Sequence, residues 1–263
     1  ANDVPQDRAD AKNVWRHSRY MPAWAASRKR VGWRKEGHVM TYAGVRPETF
    51  TFLRSLAANN TRDWFEANRG DYDLHWLEAG LDLIAALAPH CIQMEPRLLA
   101  VPKLNQSLRR IHRDTRFSRD KTPYQPGMHL ILSTGPAFNK VPGMHIVLSP
   151  DGLSYGAGHY GLAPEALDRM RHRMCDTGDR GRLQAALDVA KTVGSDLDPA
   201  DLARVPKGHV ADPSWDHLLR RKGLIVRTQT ARPVPEWLMS SDAGAGLAGL
   251  IRAHLPLLGW LVA

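Results

Sequence analysis

The chain has 263 residues, 43% hydrophobic and 24% charged, which is the composition of a globular domain and excludes collagenous, fully disordered and membrane-embedded chains. Its 36 Lys and Arg against 27 Asp and Glu give a net charge of +9. The two cysteines, Cys91 and Cys175, are too few for a disulfide framework or a four-cysteine zinc site. We therefore expect a reducing, cytoplasmic location.

The first 39 residues differ from the rest of the chain. They hold nine Lys and Arg against four Asp and Glu, or +5, and have no sustained helical or strand periodicity. Their longest apolar run, residues 21–26, is too short for the core of a secretory signal. We predict a poorly ordered basic leader over residues 1–39, followed by a single domain over residues 40–263. The leader is either upstream sequence outside the native protein or a basic arm for nucleic acid or an acidic partner.

The first half of the domain is predicted to be helical. From Pro47, apolar residues recur at spacings of three and four until Asn59 and Asn60 break the pattern. Thr61 is a suitable N-cap for a second helix. A further apolar stretch over residues 81–87 is expected to end at Pro89, because proline interrupts a helix.

Short strands are predicted in the middle of the chain, over residues 129–133 and 145–149, with another over 224–228. Helices are predicted over residues 164–174 and 182–193. The order of helices, strands and helices indicates an α+β fold, with an antiparallel sheet flanked by helices.

The C-terminal stretch, residues 247–263, is the nearest approach to a membrane-spanning segment. A spanning helix needs about 18 consecutive apolar residues, and this stretch is interrupted by Arg252, His254 and Pro256. We predict a terminal helix that packs on the core, and no membrane partner.

Residues 103–121 form the most unusual segment, with seven Lys and Arg, five of them Arg, and two Asp. Arginine can bind a carboxylate or a phosphate through two parallel hydrogen bonds. If residues 108–114 form a strand, Arg110, His112 and Asp114 share one face. His112 would then exchange protons near neutral pH while Asp114 fixes its tautomer. The alternative is an edge strand whose arginines pair with surface carboxylates.

The residues that follow are restrained by Pro123, which biases Thr122 towards an extended conformation. A charged loop with such a restraint is a reasonable place for a binding site. The side chains that it would hold in place are Arg119, Asp120, Lys121 and Tyr124. Asp120 is equally suited to neutralising Arg116 or Arg119.

Residues 156–161 read Gly-Ala-Gly-His-Tyr-Gly and match the dinucleotide-binding pattern G-x-G-x-x-G. No strand ending in an acidic residue follows about 20 positions later, as that fold requires. We therefore predict that Gly156 and Gly158 allow a close backbone approach or a positive φ at a sheet corner, where their N–H groups face an anion. The sequence identifies no cofactor.

Metal-ligand spacing occurs once on a predicted helix, where His172 and Cys175 are three residues apart. No second pair of ligands accompanies them, so the sequence predicts no metal site.

Three segments together resemble the domain of unknown function family numbered 2461. They are residues 52–72, with Asn59-Asn60 and Asp63-Trp64-Phe65-Glu66-Ala67-Asn68-Arg69, residues 113–124, and the Gly156-Ala157-Gly158 turn. The proline common just after that turn is found here only at Pro164. The resemblance covers roughly residues 47–230. It implies an α+β domain found in bacteria and fungi that starts near Met40, and it implies no reaction, substrate or catalytic residue.

Our first functional hypothesis is a domain that binds a small phosphate- or carboxylate-bearing ligand, as a binding module or as an enzyme. The acid–base candidates are His112 and Asp120. The ligand-binding candidates are Arg110, Arg113, Arg116, Arg119, Lys121, Tyr124, Gly156 and Gly158. The alternatives are nucleic-acid binding through the motif and the leader, and a structural module in which the motif is an internal salt-bridge network.

The distribution of charge favours the small ligand. Without the leader the domain carries +4, while residues 103–121 alone carry +5, so the rest of the domain nets to −1. Extended nucleic-acid surfaces need a broader basic face. The sequence gives no indication of oligomeric state.

Overall fold

The computed structural model describes residues 33–36, 39–138, 140–210 and 212–263. The leader predicted over residues 1–39 lies outside the described residues, except for Trp33–Glu36 and Val39. These belong to an antiparallel strand pair, β1 (Trp33–Glu36) and β2 (Val39–Tyr42).

The helical first half is confirmed. It comprises α1 (Pro47–Ala58), α2 (Arg62–Ala67), α3 (Arg69–Asp71), a π-helical turn (Tyr72–Glu78) and α4 (Ala79–Met94). Proline stands in the first turn of α1, where its missing N–H costs nothing. The Thr61 hydroxyl accepts a hydrogen bond from Trp64 N at 3.3 Å, so the predicted cap of α2 is present.

The predicted end of the helix at Pro89 was wrong, because α4 continues through this residue to Met94. A proline inside a helix removes one backbone hydrogen bond and costs about 3 kcal/mol. Leu87 and Cys91, on either side of Pro89, are fully buried. Their packing in the core offsets the local cost, which no pattern of residues in the helix alone could reveal.

Within the described residues, five strands form one antiparallel sheet in the order β3-β4-β5-β7-β6. They are β3 (Met128–Ser133), β4 (Gly143–Ser149), β5 (Gly152–His159), β6 (Asp196–Leu197) and β7 (Leu224–Arg227). The predicted strands at β3, β4 and β7 are confirmed to within two residues. The two residues of β6 are too few to produce an alternating pattern, so it was not predicted.

One face of the sheet lies on the main hydrophobic core, under α1, α4 and α8. Its buried side chains alternate along β3 and β4, as Leu130 and Leu132 do beside Met144 and Ile146. The fold is therefore α+β with an antiparallel sheet flanked by helices, as the sequence predicted.

The second half of the chain supplies α5 (Pro164–Cys175), α6 (Thr177–Thr192), α7 (Asp216–Leu219) and α8 (Ala243–Val262), with single 3₁₀ turns at Pro213–Trp215 and Glu236–Met239. α5, α6 and α7 surround a second hydrophobic cluster with β7 and the end of α8. α6 begins five residues earlier than predicted, because the Asp176 carboxylate caps it by accepting from Asp179 N at 2.8 Å.

Among the described helices, α8 is the one long and apolar enough to cross a membrane. It packs instead against α4, α6, β4 and β5, with Leu247 and Ile251 fully buried. His254 is buried too, and its two ring nitrogens lie 2.8 Å from Leu250 O and 2.9 Å from Ser195 Oγ. These contacts support the prediction of a terminal helix docked on the core.

Candidate functional site

The arginine motif forms a hairpin, which we call the cationic hairpin (residues 108–125). Arg113 N donates to Pro123 O at 2.9 Å and Gln125 N donates to Ile111 O at 2.8 Å, on either side of the antiparallel bridge between His112 and Tyr124. Its first arm continues alongside β3 through a bridge to Leu130. The predicted strand over residues 108–114 is thus a series of isolated bridges ending before Asp114.

The base of the hairpin is held by aromatic packing. The Phe65 ring of α2 is fully buried and stacks on the Tyr124 ring, with 4.1 Å between centroids. The His112 ring meets both rings edge-on, at 5.9 Å from Phe65 and 5.1 Å from Tyr124. Tyr124 itself is only 3% exposed, and this burial raises the pKa of its hydroxyl. Tyr124, a predicted ligand-binding residue, is therefore buried at the base of the hairpin.

Asn60 fastens the hairpin to the junction of α1 and α2. Its side-chain amide donates to Tyr124 O at 2.9 Å and accepts from Tyr124 N at 3.0 Å. One side chain thus satisfies both backbone groups of a buried residue, which otherwise lose their hydrogen bonds to water at a considerable cost. Asn59 and Asn60 were predicted only to end a helix. Asn60 also binds the hairpin to the helical region.

Arg113 and Asp120 close the loop of the hairpin. The Arg113 guanidinium donates to the Asp120 carboxylate and to the Thr122 hydroxyl. Thr122 also donates to Asp120 Oδ1, through its backbone N at 2.9 Å and its hydroxyl at 2.8 Å. The bonds from Thr122 and Arg113 hold the pKa of Asp120 at about 2. A carboxyl group with that pKa is a weak base at neutral pH, which does not favour the predicted acid–base role.

Asp114 pairs with Arg116 rather than with His112. Arg116 Nε and Nη2 lie 3.0 and 2.7 Å from the two carboxylate oxygens, a bidentate pair across a two-residue turn. The hydrogen bonds from Arg116 lower the pKa of Asp114 to about 2. The expectation that Asp114 fixes the tautomer of His112 was wrong, because the nearer guanidinium occupies both oxygens. Asp120 likewise neutralises Arg113, not Arg116 or Arg119.

The remaining cations of the hairpin face solvent. Lys121 Nζ donates to Thr115 O at 2.9 Å and forms no ion pair in the part of the chain that the structure describes. Arg110 and Arg119 are exposed and form no ion pair within the described residues. Phe117, at the tip, is 95% exposed, and the Arg116 guanidinium lies 5.8 Å from its ring centroid. Arg109 is exposed and unpaired in the same way, so both carboxylates of the hairpin are paired while four of its six cations form no ion pair within the described residues.

A pair of histidines lies on the adjoining strands. His129 Nε2 and His145 Nδ1 share a hydrogen bond of 2.9 Å between β3 and β4. Burial lowers the pKa of His129 to about 3 and that of His145 to about 4, and the charge of Arg109, on the hairpin, acts in the same direction. Both rings are therefore neutral at physiological pH. Neither histidine was singled out from the sequence, because each reads as an ordinary strand residue.

The structure does not bring Gly156 and Gly158 to the hairpin. They lie inside β5, two strands away from β3, rather than in a turn. A Cβ at Gly156 would stand 2.4 Å from Val226 O, and one at Gly158 would stand 2.1 Å from Leu224 O. Gly158 also has a positive φ of 153°. The predicted close backbone approach is confirmed, and the neighbour that approaches is β7.

One polar cluster was missed from the sequence, which we call the histidine–aspartate cluster (Asp168, His172 and His209). Asp168 and His172 are one turn apart on α5, and His209 arrives from the loop before α7. The only sequence signal was the spacing of four between Asp168 and His172, which is common on exposed helices. The spacing of His172 and Cys175 on the same helix led to no predicted metal site, and His209 is the ligand that this spacing could not indicate.

These features define an α+β domain with an exposed cationic hairpin. The chain belongs to the family described as "Conserved hypothetical protein (DUF2461)", whose sequence profile matches residues 48–260. The matched region contains the hairpin, the whole sheet and most of α8, and so extends beyond the resemblance noted from the sequence. No curated protein and no solved structure matches the chain.

Proposed function

We propose that the cationic hairpin binds a small ligand bearing a phosphate or carboxylate group. The observation that carries this proposal is the imbalance of charge on the hairpin. Arg113 and Arg116 are neutralised by Asp120 and Asp114. The side chains left with a positive charge and no carboxylate partner within the described residues are Arg109, Arg110, Arg119 and Lys121.

The paired residues make the hairpin a rigid support. Asn60 and the Phe65 ring hold its base, while the Arg113–Asp120 pair closes its loop. A cation on a pre-organised support loses less conformational freedom when it binds an anion. In this proposal Arg113 and Asp120 shape the site, and Arg110 and Arg119 contact the ligand.

His112 is the titratable side chain best placed to act on a bound ligand. It is exposed, and alternation along the extended arm puts it on the same side as Arg110. Histidine can donate or accept a proton near neutral pH. In an enzymatic role, His112 would transfer protons beside the bound anion, and Asp120 would hold the loop by pairing with Arg113.

Single-stranded nucleic acid is the competing ligand. Phe117 offers one exposed ring for stacking, at the tip of a charged loop. Tyr124, the second aromatic residue nearby, is buried and cannot stack on a base. The remainder of the domain has a net charge of −1, which gives a long polyanion no further basic surface.

The test is calorimetric titration of the full chain with inorganic phosphate, pyrophosphate and citrate at constant ionic strength. A hydrogen bond to a charged group contributes about 1.5–3 kcal/mol, so the double variant Arg110→Ala/Arg119→Ala is expected to lose about 100-fold or more in affinity. Arg204→Ala is the matched control, because Arg204 is an exposed arginine outside the hairpin.

Two results would contradict the proposal. One is that none of the three anions binds, or that the double variant binds them as tightly as the unaltered chain. The other is that a single-stranded oligonucleotide binds more tightly than any of them, with an affinity that falls steeply as salt is raised.

A further inference from the structure

The histidine–aspartate cluster places three metal-ligating atoms together. Asp168 Oδ1 lies 3.0 Å from His209 Nε2, and Asp168 Oδ2 lies 3.4 Å from His172 Nε2. The two imidazole rings are 4.8 Å apart between centroids. One ligand atom from each residue can be chosen so that all three lie within 4.8 Å of one another.

These distances suit a bound ion. Zinc stands about 2.0–2.2 Å from nitrogen and oxygen ligands, so two ligands of a tetrahedral site lie about 3.4 Å apart. The separations from Asp168 to each histidine are already close to that value. The His172 side chain is exposed and lies one helical turn from Asp168 on α5.

Two buried arginines hold the parts of the cluster in place. Arg171, between Asp168 and His172 on α5, donates to Leu219 O at 3.0 Å and to Arg221 O at 2.8 Å. Arg221 in turn donates to Asp198 O, at the start of the loop that carries His209. Both α5 and the start of the loop that carries His209 are therefore hydrogen-bonded to the segment that connects α7 to β7.

His209 is built into the fold rather than lying on the surface. Its side chain is 4% exposed, and it follows Gly208, whose positive φ of 88° turns the chain back towards α5. Its Nδ1 is buried without a hydrogen-bond partner among the described residues. All polar contacts of this ring are thus made by Nε2, which faces Asp168.

We propose that Asp168, His172 and His209 bind a divalent transition-metal ion, with Zn²⁺ as the representative. Two imidazoles and one carboxylate are the ligand set of known zinc and non-haem iron sites. Mg²⁺ and Ca²⁺ prefer oxygen ligands and are excluded by the two nitrogens. The side chains of Asp168 and His172 are 57% and 63% exposed, so the remaining coordination positions face solvent. This is the arrangement of sites that bind water or a substrate directly.

The site is independent of the anion-binding proposal, because no residue of the cationic hairpin takes part. A plain ion pair between His209 and Asp168 is the competing explanation of the contacts. It accounts for the 3.0 Å distance, and the one-turn spacing on α5 accounts for His172 beside the same carboxylate, so the metal titration decides between the two explanations.

The experiment uses the full chain, stripped with a chelator and titrated calorimetrically with Zn²⁺, with Co²⁺ added in parallel to read the visible absorption of the coordinated ion. We expect one site per chain, weakened by more than about tenfold in Asp168→Asn and in His172→Ala, since even outer-shell changes cost that much. Both side chains are exposed, so neither variant disturbs the core. His217→Ala is the matched control, because His217 is exposed eight residues after His209 and its ring lies beside Ser214 O and the Trp215 ring, away from the cluster.

The proposal is overturned if the unaltered chain binds Zn²⁺ no more tightly than the double variant Asp168→Asn/His172→Ala. It also fails if His217→Ala weakens binding to the same extent. His17 and His38 are present in every variant, so a background site on residues 1–39 would appear as binding that none of the substitutions removes.

Discussion

The cationic hairpin and the histidine–aspartate cluster differ in how the chain assembles them. The hairpin is one contiguous run of 18 residues whose charge is visible in the sequence. The cluster joins two residues of α5 to His209, and the loop to His209 is placed by contacts with a third segment. Charge density along the chain therefore reveals the first kind of site, whereas a ligand set made by tertiary contacts appears only with the fold.

The two regions also differ in what supports them. The hairpin rests on a buried aromatic stack and on hydrogen bonds to its backbone. In the cluster, Asp168 and His172 are exposed, and only His209 is buried. We expect stability to depend strongly on the supports of the hairpin and weakly on the cluster without metal, and four measurements test this difference.

The largest effect is expected from Phe65→Ala, which removes the ring on which Tyr124 stacks. Truncating a fully buried phenylalanine costs about 3–5 kcal/mol, because it leaves a cavity. The free energy of unfolding, measured with urea, reports the loss. Phe117→Ala is the control at the exposed tip and is expected to change stability by less than about 0.5 kcal/mol. Equal effects of the two changes would show that the base of the hairpin does not support it.

Acidification is expected to have the next largest effect, through His129 and His145. Burial and nearby charges lower the pKa of these rings to about 3 and 4, whereas unfolded histidine has a pKa of about 6.5. The unfolded chain thus binds more protons below pH 6.5, and the stability contributed by the neutral pair is complete above that pH. Each ring then removes about 1.4 kcal/mol per pH unit as the pH falls.

Urea unfolding between pH 7 and pH 5 measures this slope before the carboxylates titrate. His145→Gln is expected to lower the slope of the unfolding free energy against pH by about 1.4 kcal/mol per pH unit, which corresponds to one proton. His217→Gln, at an exposed position, is the control. A slope that stays the same in His145→Gln would place the proton uptake elsewhere.

Asn60→Ala is expected to have an intermediate effect. The change leaves the backbone N–H and C=O of Tyr124 without their partners, and each unsatisfied buried group costs about 1–3 kcal/mol. The neighbouring Asn59→Ala removes only a bond to Ser55 O on the exposed side of α1. Comparing the two variants by urea unfolding separates the fastening role from helix termination, and a larger loss in Asn59→Ala would contradict it.

The smallest effect is expected from Asp168→Asn in the metal-free protein. The exposed pair of Asp168 with His172 contributes at most about 1 kcal/mol, as is usual for surface ion pairs. The asparagine keeps a side-chain oxygen that can accept a hydrogen bond from the buried His209 Nε2. The melting temperature of the chelated protein should therefore be nearly unchanged. A loss of stability as large as that caused by Asn60→Ala would show that the cluster stabilises the fold without metal. The cluster and the hairpin would then not differ in their contribution to stability.

Much of the fold could be predicted from the sequence, because periodicity and capping act locally. The helix from Pro47, the cap at Thr61 and the strands β3 and β4 follow from neighbouring residues. Pro89 inside α4 could not be predicted, since the burial of this helix against α8 is a tertiary contact.

Of the candidate site, the excess of cations was predictable and their pairing was not. Which carboxylate meets which guanidinium depends on the loop geometry that joins Asp120 to Arg113 and Asp114 to Arg116. Tyr124 was predicted to bind a ligand because Pro123 restrains the charged loop that carries it, but the stacking of its ring on Phe65 buries it. The position of His209 depends on buried arginines that no local pattern reveals.

The two bonds from Asn60 have a consequence for when the cationic surface forms. They join residues 64 positions apart, and closing a segment of that length carries an entropic cost that only other long-range contacts can offset. The fixed shape of the hairpin therefore depends on the packing of α1, α2 and the sheet. A peptide copied from residues 103–125 would carry the same charges without this fastening, so it would repel itself and sample many shapes.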